Sequence, residues 1–215
     1  MQRLLTSFSA VLLLASAVAP AAPAPPPAGS TPKVFLTRAE ALELAFPDCE
    51  RKRVTTYLTK AQTRRVAGLA KVPFDRSVVF AYEARRKGKL VGTAYFDTHK
   101  VRSQREVLMI VVDPDSRIRR IEVLAFGEPI DYLPRGAWYG QFAGRGLDDE
   151  LELKRGIKGV TGATLTARAT TAAARRLLAT HCVRGEIARE KKKAARGGKN
   201  GAASPPLPAQ TEGRR

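Results

Sequence analysis

The stretch EVLMIVVDPDSRIRRIEVLAF, residues 106–126, decides the fold class. Glu106–Val112 is almost continuously apolar, the pattern of a strand buried on both faces. Asp113-Pro114-Asp115-Ser116 is a strong turn signal. Ile118–Phe126 then alternates, with Ile118, Arg120 and Glu122 set against Arg119, Ile121 and Val123. Working upstream, Ser77–Arg86 alternates too, and Lys87-Gly88-Lys89 turns it into Leu90–Asp97, a hairpin. Three or four consecutive antiparallel strands result.

Helices flank them. Thr37-Arg38-Ala39-Glu40 is a capping box opening a short helix that Pro47 ends. Arg51–Leu58 reads as a strand, and Thr59-Lys60-Ala61-Gln62 caps a second helix to about Ala70. Beyond Phe126, Gly127–Pro134 is a loop, and Trp138, Tyr139 and Phe142 share a short helical stretch. Leu147–Leu153 reads as another short helix. From Thr164 a long helix carries Leu165, Ala169, Ala173 and Leu177 at i+4 steps. Helices before and after a run of hairpins predict an α+β domain, an antiparallel sheet packed with helices.

The chain has 215 residues and one folded domain is expected over 34–183. Residues 1–24 read as an export signal or N-terminal anchor: Arg3 supplies a positive start, Leu4–Ala19 is apolar, and small residues follow. Residues 25–33 form a Pro/Ala-rich linker. Residues 184–215 hold nine Lys/Arg against three Glu and few large apolar side chains, a composition that predicts a disordered basic tail. Such a tail suits an anionic membrane surface. These ends place the protein in the periplasm or elsewhere outside the cytoplasm, possible membrane anchoring included. Cys49 and Cys182 are expected to bridge or stay free with equal weight.

The net charge of +18 suits an anionic partner. No RNA or DNA motif occurs, and export argues against nucleic acid. Two cysteines and two histidines, His99 and His181, leave too few ligands for a zinc or histidine-rich metal centre. No nucleophile elbow accompanies His99, so it reads as a polar loop residue and not a catalytic base. His181 reads as complementing the end of the last helix.

Gly156–Gly162 is a glycine-spaced loop feeding the last helix. Free N–H groups and the helix dipole at such a junction favour an anion. Lys158 and Arg168 add charge, and Thr161, Thr164 and Thr166 supply hydroxyls. Neither a P-loop nor a GxGxxG fingerprint is present. A phosphate site and a plain capping loop remain open on these residues alone.

Thr161-Gly162-Ala163-Thr164-Leu165-Thr166 resembles the [S/T]-G-A-[S/T]-x-[S/T] motif of FMN-binding domains. The FMN-carrying subunits of the Rnf complex and of the sodium-translocating NADH:quinone oxidoreductase bear it. The resemblance spans about Ala81 to Ala179. It implies an FMN cofactor joined by phosphoester to the motif's last threonine, Thr166, by an ApbE-type flavin transferase. It makes Thr161, Gly162, Ala163, Thr164, Glu128 and Trp138 further cofactor-site residues, with Tyr132 and Tyr139 as aromatic neighbours of the ring. Where the family has an acidic residue before the motif, Lys158 stands, and its H-x-E-T-P-G-like loop survives only as Glu128-Pro129. The implied role is extracytoplasmic electron transfer with redox partners at the membrane, in a stand-alone member. The alternatives are a flavin-dependent reductase of a small molecule and, in another class, a basic polyanion binder.

Overall fold

The computed structural model describes residues 32–200, the last four by backbone alone. The export-signal segment, most of the Pro/Ala stretch and residues 201–215 of the basic tail lie outside the described residues. Six strands form one antiparallel sheet: β1 (Lys33–Val34), β2 (Glu50–Tyr57), β3 (Val78–Arg86), β4 (Lys89–Lys100), β5 (Arg105–Val112) and β6 (Ile118–Phe126). Their order is β1-β6-β5-β4-β3-β2, so β2 to β6 form a simple meander and β1 closes the far edge. This is an α+β fold. Short turns join β3 to β6 in succession, the cheapest way to pair them, whereas the β2–β3 connection carries a helix.

Four helices cover the sheet: α1 (Arg38–Ala45), α2 (Lys60–Ala70), α3 (Gly136–Tyr139) and α4 (Thr164–Asn200). The Thr37 and Thr59 capping boxes both form. α2 stops at Lys71, whose φ of 55° takes the left-handed turn. Leu108, Ile110 and Val112 of β5 pack with Leu177 and Leu178 of α4, while Met109 and Val111 pack with Leu42 and Phe46 on the α1 side. Both faces of β5 are therefore covered, which is why its sequence lacks polar alternation. Each such side chain contributes roughly 1.5–3 kcal/mol by burial.

Several readings are corrected by packing. Simple alternation sets Ile118 and Ile121 on opposite faces, yet both lie in the α4-side core. The β5–β6 register slips between Val111 and Val112, and that bulge turns both residues inward. Leu147–Leu153 is not helical. The Asp148 carboxylate accepts the N–H groups of Glu150 and Leu151, and Leu153 bridges to Ile157. The domain begins one residue earlier than read, because Lys33 pairs with Phe126.

The expected disordered tail from residue 184 is helical as far as Asn200. Arg184 donates to Tyr95, Thr56 and Glu83, Glu186 pairs with Arg65 of α2 at 2.7 Å, and Ile187 packs on the core. Composition could not register these partners, which come from α2 and the sheet. Cys49 and Cys182 are both free. Cys49 sits in the core on the α1 side, whereas Cys182 rides on α4, across the sheet. Among the described residues no helix is long and apolar enough to cross a membrane.

A chain of polar groups runs through the α4-side interior. His99 is not a loop residue. It lies in β4, with Nδ1 3.0 Å from Asp97 and Nε2 3.0 Å from Glu106, which is fully buried. Thr170 of α4 and Tyr139 of α3 donate to the same Glu106 carboxylate at 3.2 and 3.4 Å. Arg76 and Arg176 hold Asp97 at 2.7 and 3.1 Å. Burial alone would lower the His99 pKa, but its bonds to Asp97 and Glu106 outweigh that and raise it. His181 is shifted in the opposite direction. Burial, then the charge of nearby Arg184, bring it down to about 4, and its Nδ1 lies 2.9 Å from the Tyr95 hydroxyl.

The two histidines give stability opposite pH dependences. The His99 contribution is complete below its unfolded pKa of about 6.5 and is lost as pH rises through the higher folded value. The His181 contribution is present above about 6.5 and is lost as pH falls towards about 4. Denaturant midpoints measured from pH 4 to 9 are expected to fall at both ends. His99→Gln is expected to flatten the alkaline limb and His181→Gln the limb between pH 4 and 6.5.

Candidate functional site

The loop before α4 is held from three sides. Trp138 Nε1 donates to the Lys158 carbonyl at 2.7 Å, and Gln141 Oε1 accepts the Lys158 N–H at 2.9 Å. Arg145 Nη2 donates to the Gly156 carbonyl at 2.8 Å. A side chain at Gly156 would collide with the Glu150 carbonyl, so only glycine admits this approach. The indole is fixed in turn by edge contacts with Tyr139 and Phe142, ring centres 5.1 and 5.2 Å away.

Gly162, at φ +84°, supplies the left-handed turn into α4. The Ala163 carbonyl accepts the first helical bond, from the Ala167 N–H at 2.9 Å. Alanine has no side-chain acceptor, so α4 lacks the caps that α1 and α2 have. Among the described residues the N–H groups of Thr164, Leu165 and Thr166 have no acceptor. Together with the dipole of a 37-residue helix they form an anion-favouring end.

The three threonines have different environments. Thr161 and Thr164 are exposed, and the Thr164 hydroxyl makes one long bond, 3.4 Å to the Val160 carbonyl. Thr166 is 1% exposed and donates to the Tyr132 carbonyl at 2.6 Å. The predicted i+4 ladder holds at Ala173 and Leu177, both in the core, but not at its start. Leu165 is 46% exposed, while Thr166, Ala167, Thr170 and Thr171 face inward. The inward threonines find acceptors there, which offsets the cost of burying a hydroxyl.

Two cavities meet at Thr164. One, of 220 Å³, lies against the β4–β5 turn and is walled by Val101, Arg102, Glu128, Tyr132 and residues 162–166. The other, of 440 Å³, lies towards the end of α2 and is walled by Lys71, Lys154, Arg168 and Arg175 among others. Glu152 is its one acidic wall residue. Arg175 is buried and donates to the carbonyls of Ala70, Asp148 and Leu151. No carboxylate pairs with it among the described residues, so its charge adds to the positive field around Thr164.

Residues 103–179 match the model of the FMN-binding domain family, a stretch that runs from the β4–β5 turn into α4. The chain carries an FMN-binding domain. FMN is its cofactor, and the protein binds flavin. A search of curated proteins returned no match. The matched stretch includes the uncapped start of α4, the loop anchored by Trp138 and most of the smaller cavity's wall, with Val101 and Arg102 just before it.

The FMN-binding domain fits its cofactor through the chemistry of these residues: an uncapped helix start, an exposed hydroxyl, basic side chains and an apolar wall. Gly162, Ala163, Thr164 and Thr166 line the smaller cavity together with Tyr132 and Glu128. Trp138 and Tyr139 are buried in the core and line neither cavity at Thr164. Trp138 positions the loop. Thr161 is in the same turn but outside both linings. Arg168 lines the larger cavity, whereas Lys158 lines neither. Arg102, Lys71, Lys154 and Arg175 were not legible as site residues, since they lie 10 to 93 positions from Thr164 with no spacing signal.

Glu128 faces inward on another task. Its Oε1 accepts the N–H groups of Arg102, Ser103 and Gln104 at 3.2, 2.5 and 2.6 Å, and Ser103 Oγ donates to both carboxylate oxygens. Burial alone would raise its pKa, but the N–H groups of Gln104 and Ser103 and the Ser103 hydroxyl outweigh it and lower it. The carboxylate fills a nest of turn N–H groups and so sets Val101 and Arg102 against the smaller cavity. Among the described residues no group of His, Cys, Asp or Glu side chains is placed to hold a metal.

Glu128→Gln is expected to lower stability by roughly 1–3 kcal/mol, since one carboxylate now serves several donors. The same variant is expected to speed amide exchange at Arg102, Ser103 and Gln104 while leaving α4 protected. Hydrogen exchange read by mass spectrometry checks both.

Proposed function

We propose that the protein is an exported flavoprotein relaying electrons outside the cytoplasm, with its FMN attached covalently to Thr164 by a phosphoester. The observation that carries the site is the contrast between two hydroxyls. Thr164 stands exposed at the first turn of an uncapped helix, and Thr166 is buried with its proton donated to Tyr132. This contrast favours Thr164 over the motif's last threonine, Thr166, which lines the same cavity. Forming the bond requires the Thr164 oxygen to reach phosphorus and lose its proton. A flavin pyrophosphate donor, handled by the transferase, supplies the leaving group.

The N–H groups of residues 164–166 and the side chains of Arg168 and Lys154 would hold the phosphate; Val101, Tyr132 and Leu165 offer apolar surface for the ring. Bound FMN supplies one- or two-electron transfer. The covalent bond has a reason in this setting: occupancy by a free cofactor follows RT ln(1 + [L]/Kd), which vanishes where free FMN is scarce. The export reading rests on the charged, then apolar, then small-residue order of residues 1–24. Redox proteins at the membrane are the proposed partners, and Lys191, Lys192 and Lys193 favour anionic lipid nearby. A small-molecule reductase is the second reading. It is favoured by the meeting of two cavities at Thr164, since the ring can fill only one.

Intact mass after denaturation tests the bond, in protein co-expressed with an active flavin transferase. The parent and Thr166→Ala are expected to carry the added flavin-phosphate mass, and Thr164→Ala to lack it. Adduct on Thr164→Ala with none on Thr166→Ala would return the bond to Thr166. Rapid turnover of a soluble acceptor by the loaded protein would favour the reductase. N-terminal sequencing of protein from the host's extracytoplasmic fraction is expected to start between residues 18 and 25, and a retained Met1 in the cytoplasmic fraction would refute export.

A further inference from the structure

The β3–β4 ladder ends early. Its last pair on one side is Ala81 with Tyr95. β3 nevertheless continues to Val78 against β2, and β4 continues to Lys100 against β5. The two strands thus diverge within a sheet that is otherwise closed. A cavity of 390 Å³ occupies the gap, walled by Val78, Val79 and Phe80 on one side and Phe96 and Thr98 on the other. Val79, with Leu177 and Thr180 of α4, is buried and closes the inner end, while Arg38, Arg53 and Phe80 are exposed at the outer end.

The outer end is built of cations on aromatic rings. The Arg53 guanidinium lies 4.2 Å from the centre of the Phe80 ring, and that of Arg38 lies 5.3 Å from Phe96, with Nη1 3.5 Å from the Tyr82 hydroxyl. Among the described residues neither arginine has a carboxylate within ion-pair distance. The third arginine of the wall, Arg76, is already paired to Asp97. Two guanidinium groups resting on rings keep their N–H edges free for an anion. Behind them lies an apolar and aromatic slot within the ordinary size range of ligand sites.

We propose that this gap in the sheet is a binding site for a small aromatic carboxylate, its ring between the diverging strands and its carboxylate on Arg38 and Arg53. The site is separate from the flavin. Leu177 lies 13 residues beyond Thr164 on α4, about 20 Å along the helix axis. The inference therefore does not depend on where FMN is attached.

Isothermal titration calorimetry of the full, flavin-loaded chain with 2-naphthoate tests it, with uncharged 2-naphthamide as the control. One equivalent of naphthoate is expected to bind, and naphthamide at least tenfold more weakly. Arg38→Gln and Arg53→Gln are each expected to weaken naphthoate roughly tenfold, the worth of one charge-assisted bond. Both side chains are exposed, so the fold is kept. Thr98→Trp, which fills the slot from its exposed wall, is expected to abolish binding. No heat with naphthoate, equal affinity for the amide, or indifference to both arginine substitutions would each overturn the proposal.

Discussion

Two buried hydroxyl bonds set how α4 sits on the sheet, and much else follows. Thr166 donates to the Tyr132 carbonyl and Thr170 to the Glu106 carboxylate. Both are one helical turn apart on the same face, so together they define the rotation of the helix. Rotated this way, α4 buries Ala167, Ala174 and Leu178, and turns Leu165 and Thr164 outward. A helix rotated to bury Leu165 would leave the Glu106 carboxylate short of a donor in the interior, a larger loss than one exposed leucine.

The candidate flavin site inherits its form from that rotation and from the loop that precedes it. The helix start has no side-chain cap, so its N–H groups remain for a ligand. Trp138, Gln141 and Arg145 hold the loop through backbone atoms, which lets the loop's own side chains be small. On the far wall, Glu128 orders the β4–β5 turn by the same means in reverse, a carboxylate gathering N–H groups. One site thus has a set of N–H groups left open and a neighbouring set filled. Positive charge comes from Arg102, Arg168, Lys71, Lys154 and the buried Arg175, drawn from four separate parts of the chain.

The interior polar groups of the β4, β5 and α4 region also show why aromatic residues near a motif mislead. Trp138 and Tyr139 lie close in sequence to the loop and have the chemistry of ring neighbours. Both instead point into the core, where Trp138 finds the Lys158 carbonyl and Tyr139 finds Glu106. Tyr132, in a single 3-10 turn with little packing of its own, is the one at the cavity. Polar tips on large rings go where a partner waits, and the partner is known only after folding.

The sequence by itself determined strands β2 to β6, the two capping boxes, the turn at residues 113–116, the α+β class and the six-residue threonine motif. Each of these is a local matter, settled by periodicity or by side chains within four positions of one another. The order of β1 and β2 at the sheet edges, the bulge that turns Ile118 inward, the helix beyond residue 184 and the separation of the two cysteines belong to the tertiary structure alone. So does the difference between Thr164 and Thr166, which share a residue type and a helical turn. What distinguishes them is the Tyr132 carbonyl, 34 residues away, that accepts one hydroxyl and not the other. Long-range acceptors carry no local signature, because a backbone carbonyl is the same at every position of the chain.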